Sequence, residues 1–273
     1  MIAVELTKLF RRPRTWAMVG LLCLLPTVVA IFLAVTDVAP RPGEGPAFLS
    51  AVLANGALFP AAALGIVLPL FLPVAVAVVA GDAVAGESAA GTLRYLLVRP
   101  VGRTRLLLAK LLSVLVFLLV AVTAVAATAY EVGTRLFVPV PGSPAVVVTG
   151  LSGSALTSQQ LVVRTVLVIA YITWSMLGVA VVALFLSTLT DSPLAAALGA
   201  LAVLVTSQVL VTLDAASSVK QYLPTRYWLA WVDFFRDPIL WHDIRLGVIV
   251  QGAYAVVFLG LAWAAFTTRD ITS

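Results

Sequence analysis

The sequence predicts an all-α integral membrane protein with six transmembrane helices in a single transmembrane domain, residues 1–273. Hydrophobic residues make up 62% of the chain and charged residues only 11%, whereas a soluble domain carries about 25% charged residues. The apolar residues also form continuous runs long enough to cross a bilayer as helices, and not the short alternating segments of a β-barrel. No core of a soluble domain would hide so much apolar surface, so lipid must be its solvent.

Residues 1–14 predict an amphipathic helix that lies on the membrane before the first span. Its apolar face holds Ile2, Leu6, Leu9 and Phe10, and its polar face holds Glu5, Lys8, Arg11 and Arg12. Pro13 is expected to end or kink this helix. A disordered basic tail is the alternative. The charge-free run that follows is longer than the ~7–15 residues of a signal-peptide core, which predicts a retained span.

Six spans follow from the apolar runs, each of about 20 residues. They are predicted at 16–35, 58–80, 106–129, 166–186, 194–213 and 246–266. Pro60, Pro69 and Pro73 are expected to kink the second span, either passively or where helices must move. Thr104 is predicted to cap the third span, and Asp191 to cap the helix that begins near Pro193.

The charges predict the orientation. With six spans, both termini share one side with the 81–110 region and the 187–193 turn, and the whole net charge of +5 falls on that side. By the positive-inside rule, both termini are cytoplasmic. The 214–245 segment then faces outwards, and its mixture of aromatic and charged residues is typical of a membrane interface. It is either a passive belt or a gating element.

No motif for chemistry is found in the chain. Gly86 and Gly91 have the spacing of a P-loop, but Thr92 and Leu93 follow where Lys and Ser or Thr are required. One cysteine, Cys23, and one histidine, His242, exclude a typical zinc site. Lys110 is the only charged residue in the predicted spans, which argues against coupling to protons or ions within the bilayer. The sequence therefore predicts a membrane protein that is not an enzyme and has no energy source of its own.

The segment 81–105 is the informative loop. Glu87–Leu97 has the length of about three helical turns, and Glu87 near the start of such a helix would complement its dipole. The pattern D-x-x-x-x-E-x-x-x-G-T-L-x-x-L-L-x-x-P-V-x-R, beginning at Asp82, resembles the signature loop of permeases of the second ABC exporter family. Residues 223–228 and 266–271 also resemble this family. An ordinary basic loop is the alternative, although it would not explain the run from Glu87 to Leu93.

The resemblance implies an N-terminal elbow helix and a cytoplasmic coupling helix between spans two and three. It also implies a separate ATPase subunit that binds ATP and Mg²⁺, and a second permease subunit, identical or different, in the plasma membrane. No cofactor, metal or nucleic acid is expected on this chain. The residues expected to contact the ATPase are Asp82, Glu87, Gly91, Thr92, Leu93, Arg94, Tyr95, Leu96, Leu97, Pro100 and Arg103.

The expected function is ATP-driven export of an amphipathic, drug-like or lipid-like compound, because the spans lack charged ligands for a polar cargo. Three alternatives remain open. The first is a secondary transporter or channel that works without an ATPase. The second is a membrane enzyme, and the third is a permease-like subunit that transmits force and moves no cargo. An enzyme would need a cluster of histidine or acidic residues at one depth, and the sequence has none.

Overall fold

The computed structural model describes residues 2–36, 48–49, 52, 55–91, 102–137, 152 and 154–268, which form a helical bundle. Its α-helices are α1 (Ile2–Arg11), α2 (Pro13–Thr36), α3 (Phe59–Val67), α4 (Phe71–Ala89), α5 (Arg103–Leu136), α6 (Ser158–Ser175), α7 (Leu177–Leu189), α8 (Pro193–Thr212), α9 (Ser217–Lys220) and α10 (Trp241–Thr268). Short 3₁₀ helices cover Gly56–Leu58, Asp214–Ala216 and Trp228–Phe235.

Six helical stretches in this part of the chain are long and apolar enough to cross a membrane. They are α2, α4, α5, the pair α6 and α7, α8, and α10. This confirms the predicted all-α class with six apolar helices. The helices extend beyond several predicted spans, because polar residues can continue a helix past an apolar run. Helix α5, for example, runs on to Leu136 and places Arg135 within 2.8 Å of Glu131 one turn earlier.

Helices α1 and α2 are separated by Arg12 alone, and Pro13 begins α2. Proline suits the first position of a helix because the amide hydrogen it lacks would have no partner there. Two side chains of α2 bond to carbonyls at the end of α1, which the helix itself leaves unpaired. The Thr15 hydroxyl donates to Leu9 O at 2.7 Å, and Trp16 Nε1 donates to Phe10 O at 2.9 Å. Pro13 was expected to end or kink the first helix, and the helix ends at Arg11, two residues before it.

The second predicted span is two helices and not one kinked helix. Helix α3 ends at Val67, a turn covers residues 68–70, and α4 begins at Phe71. Of the three prolines, only Pro69 lies in the break. Pro60 lies at the start of α3 and Pro73 in the first turn of α4, where prolines are tolerated.

The fourth span is also interrupted, at Met176 between α6 and α7. Gln251 of α10 is 2% exposed and fills this break. Its Oε1 accepts a hydrogen bond from Gly178 N at 3.1 Å, and its Nε2 donates to Pro224 O at 2.7 Å. A single amide side chain therefore joins the broken span, the last helix and the segment that follows α9.

Helices α4, α5 and α7 form the interior, while α2, α8 and α10 present most of their apolar side chains outwards. Where α5 meets the 3₁₀ turn before α3, Gly133 lies against Gly56. A Cβ on Gly133 would overlap Gly56 O and lie 2.7 Å from Phe59 Cβ. Two glycines in contact let the backbones approach closely, as in other membrane helix pairs.

The aromatic residues of the 214–245 segment were predicted to lie at the membrane interface, but four of them are buried inside the protein. They are Trp228, Trp231, Phe234 and Phe235. The Tyr171 hydroxyl of α6 donates to Tyr227 O at 2.8 Å and joins this segment to the bundle. These aromatics therefore pack into the protein, because α6 and α10 supply an apolar surface that the sequence alone does not locate.

Candidate functional site

Two carboxylates lie near the C-terminal end of α4, Asp82 and Glu87. They continue the apolar helix and do not stand in a loop, because α4 extends to Ala89. The C-terminal end of a helix carries partial negative charge, so acidic residues there need cations nearby. Four basic side chains from three other stretches of the chain supply this positive charge.

Glu87 is held by two lysines. Lys110 Nζ of α5 lies 2.8 Å from Glu87 Oε2, and Lys8 Nζ of α1 lies 3.0 Å from Glu87 Oε1. Lys110 is 1% exposed, and its ammonium also donates to Ala83 O at 2.5 Å and pairs with Glu5 at 3.4 Å. A buried charge with fewer partners than this would destabilise the fold.

Lys8 lies at the edge of the cluster. Partial burial lowers its pKa, but the hydrogen bond and charge of Glu87, together with the charge of Glu5, outweigh burial and raise the pKa above its ordinary value of 10.5. Lys8 is therefore protonated at neutral pH and binds both carboxylates as a cation.

Asp82 binds the joint between α1 and α2. Arg12 Nη1 lies 2.5 Å from Asp82 Oδ2, and Arg14 Nη2 contacts the same oxygen. We call the seven residues Glu5, Lys8, Arg12, Arg14, Asp82, Glu87 and Lys110 the ion-pair cluster. Through it, the charged face of α1 faces the bundle, while Ile2 and Val4 are exposed. The polar face of α1, which the sequence assigned to the membrane surface, therefore also contacts α4 and α5.

A cleft runs beside the cluster, and about 50 Å³ of it is open to water-sized molecules. That space holds a few waters, since one water needs about 10–15 Å³ measured this way, and it does not hold a cargo molecule. Among the described residues, no group of three or more His, Cys, Asp or Glu side chains is placed to bind a metal. The chemistry available here is the making and breaking of ion pairs between helices.

Hydroxyl groups hold the other side of the α4 terminus. The Ser187 hydroxyl of α7 donates to Gly81 O at 2.6 Å and accepts from Ala85 N at 2.9 Å. Ser88 donates to Asp191 in the turn between α7 and α8. Asp191 therefore binds α4. The prediction that Asp191 caps α8 is wrong. Ser192 is the cap, since its hydroxyl accepts from Ala195 N at 3.3 Å.

The start of α5 is attached to the last helix. Arg103 Nη1 donates to Phe266 O at 2.8 Å and to Thr267 O at 2.7 Å. The residue at the N-cap of α5 is Gly102, not the predicted Thr104. The Thr104 hydroxyl instead accepts from Trp263 Nε1 at 2.8 Å. The C-terminal ends of α4 and α10 and the starts of α2 and α5 thus meet at one end of the bundle, which we call the α1 end.

The predicted coupling residues fall into two groups. Asp82, Glu87, Gly91 and Arg103 are described, and the structure brings the first two together with α1 and the last with α10. The other predicted residues lie outside the described part of the chain: Thr92, Leu93, Arg94, Tyr95, Leu96, Leu97 and Pro100.

The prediction of one helix running from Glu87 to Leu97 is wrong. The helix that contains Glu87 begins at Phe71 and ends at Ala89, so Glu87 lies near its end. Gly91 has φ of 65°, a left-handed conformation that glycine adopts at no steric cost, and its N–H bonds to Ser88 O at 2.9 Å. This glycine terminates α4.

Sequence reasoning missed the partners within the chain. Lys110 gave a signal, because a lysine in an apolar run needs a carboxylate nearby, but its two partners are far away in sequence. Glu5, Lys8 and Arg12 were assigned to the membrane surface, and nothing in their local pattern distinguishes lipid from α4 as the partner.

Comparison with known proteins places the chain in a family. No curated protein matches it. A family model with the description "Protein of unknown function (DUF2705)" matches residues 47–272, which include the whole bundle except α1 and α2. Since this match spans most of the sequence, the chain belongs to the DUF2705 family.

Proposed function

We propose that the chain is the membrane-spanning subunit of an ATP-driven ABC exporter, with both termini in the cytoplasm and a separate ATPase subunit bound through residues 81–105. The observation that carries the proposal is the double anchoring of the connection between α4 and α5. Its first end is held by the ion-pair cluster and by Ser187, and its second end is held by the bonds of Arg103 to α10.

A force applied between these two anchors would reach several helices at once. On the α4 side, Lys110 and Asp82 pass it to α5 and to the joint of α1 and α2. On the α5 side, Arg103 passes it to the last span. An ATPase that pushes on Thr92–Leu97 and Pro100 would thereby act on the bundle and not on an isolated loop.

The break at residues 68–70 supports a movement of α4 relative to α3. Helix α4 has 19 residues, about 28 Å at 1.5 Å per residue, and its far end is the break that contains Pro69. ATP binding would shift the population between inward-facing and outward-facing states by favouring one tilt of α4. ATP and Mg²⁺ bind to the partner ATPase, and two permease subunits, identical or different, form the pathway.

The proposed cargo is amphipathic, drug-like or lipid-like. Residues 111–130 of α5, 165–189 of α6 and α7, and 246–268 of α10 carry no charged side chain. A charged cargo would need counter-charges along its path, since an unpaired ion in hydrocarbon costs several kcal/mol or more.

The test is a site-specific cross-link to the ATPase. A photo-reactive residue at Arg94 should capture a nucleotide-binding subunit in membranes of the source cell, and the same residue at Lys220, at the other end of the bundle, should not. Capture from position 220 alone, or none from position 94 with an ATPase that co-purifies, would refute the docking role. ATPase stimulation without cargo movement in vesicles would instead support the force-transmitting alternative.

A further inference from the structure

We infer that the α1 end carries a binding site for one anionic phospholipid, formed by α5 with α1 and α10, with Arg105 as the ligand for the phosphate. This inference does not depend on the proposed transport role. It begins from a contrast between two arginines in the first turn of α5. The Arg103 side chain donates to carbonyls of α10, whereas Arg105 is exposed and its side chain makes no ion pair or hydrogen bond within the described residues.

Arg105 stands at the top of an apolar stripe. Leu108, Ala109 and Leu112 follow it at the three-, four- and seven-residue spacing that places side chains on one helix face. Leu108 and Leu112 are 48% and 40% exposed. Arg105 and this stripe line a groove of about 250 Å³ together with Ile2 of α1. Over these seven residues the helix rises about 10 Å, so a cation leads directly onto an apolar surface.

A second groove lies on the other side of Leu108. It encloses about 460 Å³ between α5 and α10, and Leu107, Leu259, Gly260 and Trp263 line it. The size is that of a small-molecule site, ~300–1,000 Å³. Trp263 is one of the lining residues, and its Nε1 donates to the Thr104 hydroxyl. An indole held in this way is typical of the level where hydrocarbon meets headgroups.

The chemistry of the walls selects the ligand. A guanidinium binds phosphate through two parallel hydrogen bonds. In the described part of the chain, no acidic residue that would repel an anion lines either groove. A free phosphate would use Arg105 but not the two apolar grooves, and a neutral lipid would use the grooves but not the charge. A phospholipid with a net negative headgroup and two acyl chains uses both, with one chain on each side of Leu108.

The test measures how far an added lipid protects the purified, delipidated chain against thermal unfolding in mild detergent. Phosphatidylglycerol is expected to raise the apparent melting temperature more than phosphatidylcholine does, and native mass spectrometry should show one bound molecule. Arg105→Gln should lower the ratio of bound phosphatidylglycerol to phosphatidylcholine at least about fivefold, the effect of roughly one basic residue at a lipid surface. Arg226→Gln, an exposed arginine near the other end of the bundle, is the matched control and should leave the ratio unchanged.

A second variant tests the groove. Gly260 lines the larger groove, and a Cβ there would meet no atom within 4 Å. Gly260→Leu therefore adds an apolar side chain to this groove and should weaken binding of both lipids. Three results would overturn the inference: an unchanged lipid ratio in Arg105→Gln, equal protection by inorganic phosphate, or protection that appears only with a dimer in the mass spectrum. The last result would assign the grooves to a second copy of the chain.

Discussion

Replacing Lys110 by methionine tests whether the ion-pair cluster holds the α1 end together. Methionine keeps the unbranched apolar stem and removes the ammonium, which lies 2.8 Å from Glu87 and 3.4 Å from Glu5. Both carboxylates would then share Lys8, a side chain that is 40% exposed. Removing one partner of a buried ion pair costs about 3–5 kcal/mol, because the remaining charge is left without compensation.

This cost translates into a measurable shift. For a chain of this size, 1 kcal/mol corresponds to roughly 2–4 °C in melting temperature, so Lys110→Met should lower the apparent melting temperature in detergent by roughly 6–20 °C. Scans at one fixed rate make the values comparable even where unfolding is irreversible.

Lys220→Met is the matched control, since it makes the same change at an exposed pair. Lys220 lies 3.3 Å from Asp214, whose side chain is fully exposed. Such pairs contribute about 0–1 kcal/mol, so the control should melt within about 4 °C of the parent.

A double variant separates loss of charge balance from loss of packing. Adding Glu87→Gln to Lys110→Met removes one of the uncompensated carboxylates, so the double variant should melt higher than Lys110→Met alone. If Lys110→Met shifts the melting temperature no more than Lys220→Met does, or if the two effects at positions 110 and 87 simply add, the cluster is not the coupled unit described above.

Three further outcomes are expected in the same melting assay. Gly133→Ala places a methyl group against Gly56 and should destabilise the chain by about 1–3 kcal/mol. Gly20→Ala is the control, because a Cβ at Gly20 has open space around it, and it should be neutral or stabilising. Equal effects of the two variants would contradict the close contact between Gly133 and Gly56. Gln251→Leu leaves the amide and the carbonyl that it bridges unpaired, at about 1–3 kcal/mol each, and a loss below 1 kcal/mol would show that the bridge is dispensable. The pKa of Lys8 is raised in the folded chain, so the stability that Lys8 contributes is complete below pH 10.5 and is lost as pH rises through the higher folded-state pKa. The difference in melting temperature between the parent and Lys8→Met should therefore persist at pH 10. Its disappearance near pH 8 would be inconsistent with this pairing.

The fold class was predictable from sequence because one physical rule dominates it. Long apolar runs must become helices in lipid, and the six runs are recognisable without any knowledge of their packing. The break at residues 68–70 was foreseen only as a kink at prolines. The break at Met176 carries no proline, and its partner Gln251 is a residue of the last span, so local sequence gave no indication of it.

The local structure around Glu87 differs from the one that the sequence predicted. The acidic residues of the 81–91 stretch were singled out as a docking helix because Glu87 would suit a helix start. In the structure Glu87 lies at a helix end, and lysines from two other helices compensate for the unfavourable position. Contacts between Glu5 and Lys110 span more than 100 residues, and such pairings depend on tertiary structure that no short pattern encodes.

The interruption between α3 and α4 also limits where this part of the chain can go. In a continuous helix, the carbonyl oxygens of Gly65 and Pro69 would accept hydrogen bonds from the amides four residues later, which belong to Pro69 and Pro73. Proline has no amide hydrogen, so neither carbonyl oxygen would receive this bond. Hydrocarbon provides no donor for such oxygens, and exposing them there is costly. Whatever rearrangement the protein undergoes, α3 must keep its protein neighbours or gain water, and it is therefore confined to the interior or to a wetted passage.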